Sequence, residues 1–150
     1  MQVVQLAGKP MRKSSAKTRS ACPVNIALET FGDRWSLLVL RDMILFDKRH
    51  YRELLESEEG IATNILADRL KKLEAQGLIS RGEDPGNRRQ VVYEVTEKGL
   101  ALVPVLLEMM HWAATYDPNT PVSRPFLKRL QQDREGLAAE IITAFRKRAD

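Results

Sequence analysis

Between Tyr51 and Tyr93 the hydrophobic pattern passes from a helical period to an extended one, and few folds accept that order. A short helical run from Tyr51 to Ser57 leads through Gly60 into a longer one from about Ala62 to Gln76, closed by Gly77. On the longer run Leu66, Leu70 and Leu73 recur at the spacing that buries one helix face, while Asn64, Asp68, Lys71, Lys72 and Ala75 point the other way. After Leu78, Ile79 and Ser80 the period falls to two: Val91, Tyr93 and Val95 alternate with Gln90, Val92 and Glu94, and Pro85-Gly86 supplies the turn between the two arms. Helix, glycine-containing turn, helix and hairpin in that order predict a winged helix-turn-helix, mainly α with a small β-hairpin and with flanking helices for dimerisation.

The free face of the long helix defines the candidate ligand. Thr63, Asn64 and Lys71 are suited to reading base edges in a major groove, with Asp68 as a base acceptor. Lys48, Arg49, Lys72, Arg88 and Arg89 are suited to phosphates or the minor groove, the last two from the hairpin tip. The partner expected is double-stranded DNA. A two-fold dimer sets its recognition helices about 34 Å apart, which predicts an inverted-repeat operator. The net charge of +4 (24 Lys plus Arg against 20 Asp plus Glu) agrees with a polyanionic partner without requiring one.

The flanks divide the chain of 150 residues further. Residues 1–20 carry Lys9, Arg12, Lys13, Lys17 and Arg19 with no acid, and are too polar to bury a core, so a flexible basic arm is expected. Residues 21–116 form the DNA-binding and dimerisation domain. Within it Pro23 opens a helix through Ala27, Leu28 and Phe31 that stops at Gly32, and Asp33 caps a strongly apolar core helix from Trp35 to Leu45. After the hairpin, Thr96 caps a helix running to Trp112, with a kink at Pro104. Leu28, Phe31, Leu106, Met110 and Trp112 are the expected dimer contacts, because an apolar helix beyond a complete winged helix needs a second subunit to cover it. Residues 117–125 are proline-rich and read as a linker; 126–150 read as one amphipathic helix, taken first as a second dimerisation element.

The residues that carry this pattern also resemble a known family, the HxlR-type winged-helix transcriptional regulators. The resemblance rests on Cys22-Pro23, Gly32-Asp33-Arg34-Trp35-Ser36 and His50-Tyr51-Arg52-Glu53-Leu54, then on Ile61, Leu66, Arg69, Leu70, Leu73, Glu74, Gly77 and Leu78. It continues through Tyr93, Val95-Thr96-Glu97-Lys98-Gly99, Leu102, Pro104-Val105-Leu106 and Trp112, and does not reach the tail. Ala62 stands where the family commonly has Ser, and Arg88-Arg89-Gln90 where it commonly has prolines. The resemblance implies a homodimeric, cytoplasmic, sequence-specific DNA-binding regulator, a repressor ahead of an activator. Some members sense oxidants, electrophiles or small metabolites, and the redox-responsive ones use a Cys at the position of Cys22.

Cys22 is therefore the candidate redox sensor. It precedes Pro23 at a helix start, where amide groups and the helix dipole favour a thiolate, with Lys17 and Arg19 upstream. The alternative is a thiol packed as a small hydrophobe. As the single Cys it excludes an intrachain disulfide or a thiolate zinc cluster. His50 and His111 lack a second ligand at helical spacing, no phosphate-binding glycine loop or nucleophile elbow is present, and no apolar run is long enough to span a membrane. No metal, no cofactor and no enzyme activity are expected. Two alternatives stand behind the regulator: a winged-helix protein-interaction module, and a thiol-dependent enzyme built on Cys22.

Overall fold

A computed structural model of the chain describes residues 19–149, so the greater part of the expected basic arm lies outside the described residues. The elements follow one another as α1 (Pro23–Phe31), α2 (Ser36–Leu45), α3 (Tyr51–Leu55), α4 (Thr63–Ala75), β1 (Ile79–Asp84), β2 (Asn87–Val95), α5 (Glu97–Leu100), α6 (Val103–Tyr116), α7 (Arg124–Gln132) and α8 (Arg134–Ala149). The strands form an antiparallel hairpin. Mainly helical with a small hairpin is thus the fold, and the order of elements is that of a winged helix-turn-helix.

The core is gathered on α2, whose Val39, Leu40, Met43 and Ile44 are buried against Leu66, Leu70 and Leu73 of α4, Leu54 of α3 and Leu100 of α5. Each such side chain contributes roughly 1.5–3 kcal/mol by leaving water. Asp33 caps the helix as expected, its Oδ1 accepting from the amides of Trp35 and Ser36 at 3.0 Å each, although the regular turns begin only at Ser36. Within this apolar helix sits a charge that the hydrophobic pattern conceals. Asp42 is 1% exposed and is paired with Arg41 at 2.6 Å and Lys48 at 3.1 Å.

Helix α4 starts at Thr63, within the expected bound of about Ala62: Ala62 is the extended N-cap residue and has no side-chain cap to offer. Its end is tightly specified. Gly77, with φ of +70°, turns the chain left-handed, and the amides of Gly77 and Leu78 bond back to the carbonyls of Glu74 and Leu73 at 2.9 Å. Thr96 and Lys98 then donate to the carbonyls of Gly77 and Gln76, each at 2.6 Å, so the foot of the wing closes the end of the recognition helix. Gly99 makes this approach possible. A Cβ there would lie 2.2 Å from the Leu78 carbonyl oxygen.

Four expectations about the second half are corrected. The helix after the wing is not one kinked rod: α5 ends at Leu100, and Pro104 falls in the first turn of α6, where its missing amide removes no helical hydrogen bond. Pro125 likewise lies in the first turn of α7, capped by Ser123, and the tail is two helices broken at Asp133. Nor is the apolar stripe of the tail left for a second subunit. Leu130, Leu137 and Ala138 are buried in the chain's own core, packed on α6 and α2. Leu106, expected at the dimer contact, belongs to that same core and is buried.

Candidate nucleic-acid interface

The exposed face of α4 carries Thr63, Asn64, Asp68 and Lys71, all turned to solvent, while Leu66, Leu70 and Leu73 hold the opposite face in the core. Tyr51 fixes the first turn of this helix, its hydroxyl donating to the Thr63 carbonyl at 2.7 Å. The back of the helix is held by Asp33. Its Oδ2 lies 3.3 Å from Lys72 Nζ and 3.4 Å from Arg69 Nη1, and accepts from the Ser36 hydroxyl at 2.5 Å. Partial burial opposes the charge on Asp33, yet the Ser36 hydroxyl, the two amides and Lys72 together hold its carboxyl far below the usual range.

The cations proposed from sequence therefore divide into two groups. Lys48 is engaged by Asp42, Lys72 by Asp33 and Arg49 by Glu94, so each would have to leave or share a carboxylate to meet a phosphate. Lys71, Arg88 and Arg89 are exposed and carry no carboxylate partner among the described residues. Arg52 at the second position of α3 and Arg81 on β1 share that condition and were not singled out by sequence. Arg52 stands within the His50-to-Leu54 motif, which was the available signal.

The wing has an irregular tip. Glu83 pairs with Val91 but Asp84 pairs with Asn87, so Arg88, Arg89 and Gln90 bulge out of the ladder and are exposed together. The tip end of β1 is latched to the helix-turn-helix. His50 Nε2 is 2.6 Å from Asp84 Oδ2, Asp84 also accepts from the Gly86 amide at 2.7 Å, and Glu53 lies 3.3 Å from His50 Nδ1. The bond to Asp84 raises the His50 pKa above its ordinary value, desolvation opposes it, and Glu53 adds to the rise.

Of the expected dimer residues, Leu28 and Trp112 are 59% and 66% exposed, and Phe31 and Met110 are half-buried. Helix α1 buries no residue at all, although Val24, Ile26 and Leu28 are apolar. Cys22 is half-buried at its start, and among the described residues no hydrogen bond to its thiol is formed; His50 is engaged elsewhere, by Asp84 and Glu53. No group of metal-ligating side chains and no helix long and apolar enough to cross a membrane occurs among the described residues.

A recognition helix with a free polar face, backed by a carboxylate clamp and flanked by a wing with exposed arginines, defines a winged-helix transcriptional regulator. The HxlR-like helix-turn-helix family profile matches residues 30–121, and the chain belongs to that family. It is similar to the HTH-type transcriptional regulator YodB of Bacillus subtilis, 37% identical over 93 residues that make up 61% of this chain and 82% of YodB. The reduced form of YodB aligns with a TM-score of 0.53 at 34% identity, covering 66% of this chain and 98% of that one, and the quinone-bound form with 0.51 at 31%, covering 62% and 97%. The crystal structure of PA1607 gives a TM-score of 0.63 at 33% identity, over 69% of this chain and 72% of that one. The redox regulator HypR in its oxidised form gives 0.54 at 28%, over 67% and 100%.

Proposed function

We propose that the chain is a homodimeric repressor that binds an inverted-repeat operator through α4 and the wing and responds to thiol-reactive molecules at Cys22. The observation that carries the DNA reading is the free face of Thr63, Asn64, Asp68 and Lys71 beside the exposed Arg88-Arg89 bulge. The dimer reading rests on α1, whose Val24, Ile26 and Leu28 are left exposed by the described residues, and on the exposed Met109, Trp112 and Tyr116 of α6. The outer face of α6, not Leu106, is the surface assigned to the second subunit.

The thiol reading is supported by the place of Cys22 at the start of the helix assigned to the interface, and by relatives solved in reduced, quinone-bound and oxidised forms. Modification there would alter the packing of α1 and with it the separation of the two recognition helices. Repression follows if bound dimer blocks promoter access and modified dimer is released. Selection of sites from random duplex DNA tests the proposal, followed by affinity measurements with and without diamide for the wild type and Cys22→Ser. Enriched inverted repeats and a diamide response lost in Cys22→Ser are expected. No enrichment would remove the operator reading, and an equal response in Cys22→Ser would remove the thiol from the mechanism.

A further inference from the structure

We propose that the last turns of α8 splint the wing, with Arg148 as a positioning residue that holds the Arg88-Arg89 bulge at its place beside the recognition helix and so raises DNA affinity without touching DNA. Besides the His50 to Asp84 contact near the tip, the wing is fastened at its foot in two ways. The segment between α2 and α3 lies against β2, where the Tyr93 amide donates to the Arg49 carbonyl at 2.8 Å and the Arg49 guanidinium pairs with Glu94. One residue beyond its end at Val95, β2 passes through Thr96 into α5.

Both attachments are held by α8. Arg148 Nη2 donates to the Ile44 carbonyl at 3.2 Å and Nη1 lies 3.6 Å from Asp47 Oδ1, so one guanidinium bridges the end of α2 and the turn that leads to Arg49. Arg146 is bidentate on Glu97, the first residue of α5, at 2.9 and 2.6 Å. Phe145 and Arg148 share a crevice of about 40 Å³ with Asp47, Arg49, Glu94 and Val95, which places the last turns of α8 against the foot of the wing.

Asp47 gives the contact its leverage. Its φ of +54° is a left-handed conformation that few residues other than glycine adopt, Asp among them. Released from Arg148, that turn is free to relax, and the Arg49 carbonyl that receives the Tyr93 amide moves with it. Helices α7 and α8 lie outside residues 30–121, the part matched to the family. The effect on DNA rests on the regulator reading, whereas the splint itself is read without DNA.

The experiment compares amide hydrogen exchange in the full-length wild type, Arg148→Ala and Arg148→Lys. In Arg148→Ala the Tyr93 amide should exchange roughly tenfold faster while the core amides of Leu40 and Leu70 keep their rates. Arg148→Lys, which still meets Asp47 with a cation, should restore most of that protection. On the selected operator, Arg148→Ala should weaken binding roughly fivefold, but by less than about twofold in a chain that already carries Arg88→Ala and Arg89→Ala, because a displaced wing and a wing without arginines lose the same contacts. Combined with Asn64→Ala it should keep its full effect. An unchanged Tyr93 rate, or one that rises together with those of Leu40 and Leu70, would overturn the splint. A loss of affinity equally large without the wing arginines would overturn the positioning role and make Arg148 a phosphate contact of its own. Unchanged affinity with a faster Tyr93 amide would overturn the link to DNA. Failure of every variant to bind DNA, with exchange as expected, would count against the regulator reading and leave the splint standing.

Discussion

Replacing Asp33 separates the two tasks assigned to one carboxylate. In Asp33→Asn the Oδ1 acceptor for the Trp35 and Ser36 amides is kept, but the oxygen that faces the Ser36 hydroxyl, Lys72 and Arg69 becomes an amide group. Loss of a charge-assisted hydrogen bond costs about 1.5–3 kcal/mol, and the lower end applies here because Lys72 and Arg69 are partly solvated. Asp33→Ala also loses the helix cap, a further ~1 kcal/mol, for a total of roughly 2.5 kcal/mol. Urea unfolding at pH 7 followed by circular dichroism reads both. The pH dependence gives the sharper test. Because the folded pKa is depressed, the stabilisation is fully present above the unfolded value of about 3.9 and is lost as pH falls through the folded value. The gap between wild type and Asp33→Asn should thus stay constant from pH 7 to about 5 and narrow below about 4. A gap under ~0.3 kcal/mol at pH 7, or one that does not narrow in acid, would refute the clamp.

Three further predictions concern the wing and the helix it supports. Gly99→Ala sets a methyl 2.2 Å from the Leu78 carbonyl oxygen and should cost about 3 kcal/mol or more by thermal melting, while Gly82→Ala, with open space around its Cβ, should be tolerated within ~1 kcal/mol. The raised pKa of His50 means that its bond to Asp84 helps the folded wing below pH of about 6.5 and loses that contribution as pH rises through the folded value. Proteolysis at Arg88 or Arg89 should accordingly speed up between pH 6 and about 8 in the wild type and show no such step in His50→Gln. On the selected operator Asn64→Ala should lose about 1–3 kcal/mol with little loss on random DNA, whereas Arg88→Ala should weaken both equally and reduce the salt slope by about 1. Equal losses for Asn64→Ala on the two DNAs would withdraw its assignment to base readout.

What could be read in advance was local and periodic. Leu66, Leu70 and Leu73 repeat at one helical spacing and their burial follows; Gly77 and Thr96 mark a helix end and a helix start by chemistry confined to a few neighbouring residues. The features that escaped depend on pairs distant in sequence. The engagement of Arg49 by Glu94 and of Lys72 by Asp33 leaves no periodic trace, so paired and unpaired cations look alike until the chain is folded. Pro104 and Pro125 were placed by the general disfavour for proline in helices, but each occupies a first turn, where that disfavour vanishes. The tail was misjudged for a third reason. Its stripe of Phe126, Leu130 and Leu137 shows that something covers it, and pattern alone does not say whether the cover belongs to the same molecule.

The tail closes the core last in chain order. Arg148 donates to the Ile44 carbonyl at 3.2 Å, a closure across 104 positions, and α7 and α8 cover the faces of α2 and α6 that the winged helix leaves open. A ribosome therefore releases the DNA-binding half first, with Leu106 and Leu107 awaiting residues not yet translated. Such distant contacts form late, because the entropy of closing the loop is lost before any contact offsets it. During that interval the nascent chain presents apolar surface to chaperones and to other nascent copies. Completion of α8, rather than of the wing or the recognition helix, is the event that covers these inner faces of α2 and α6.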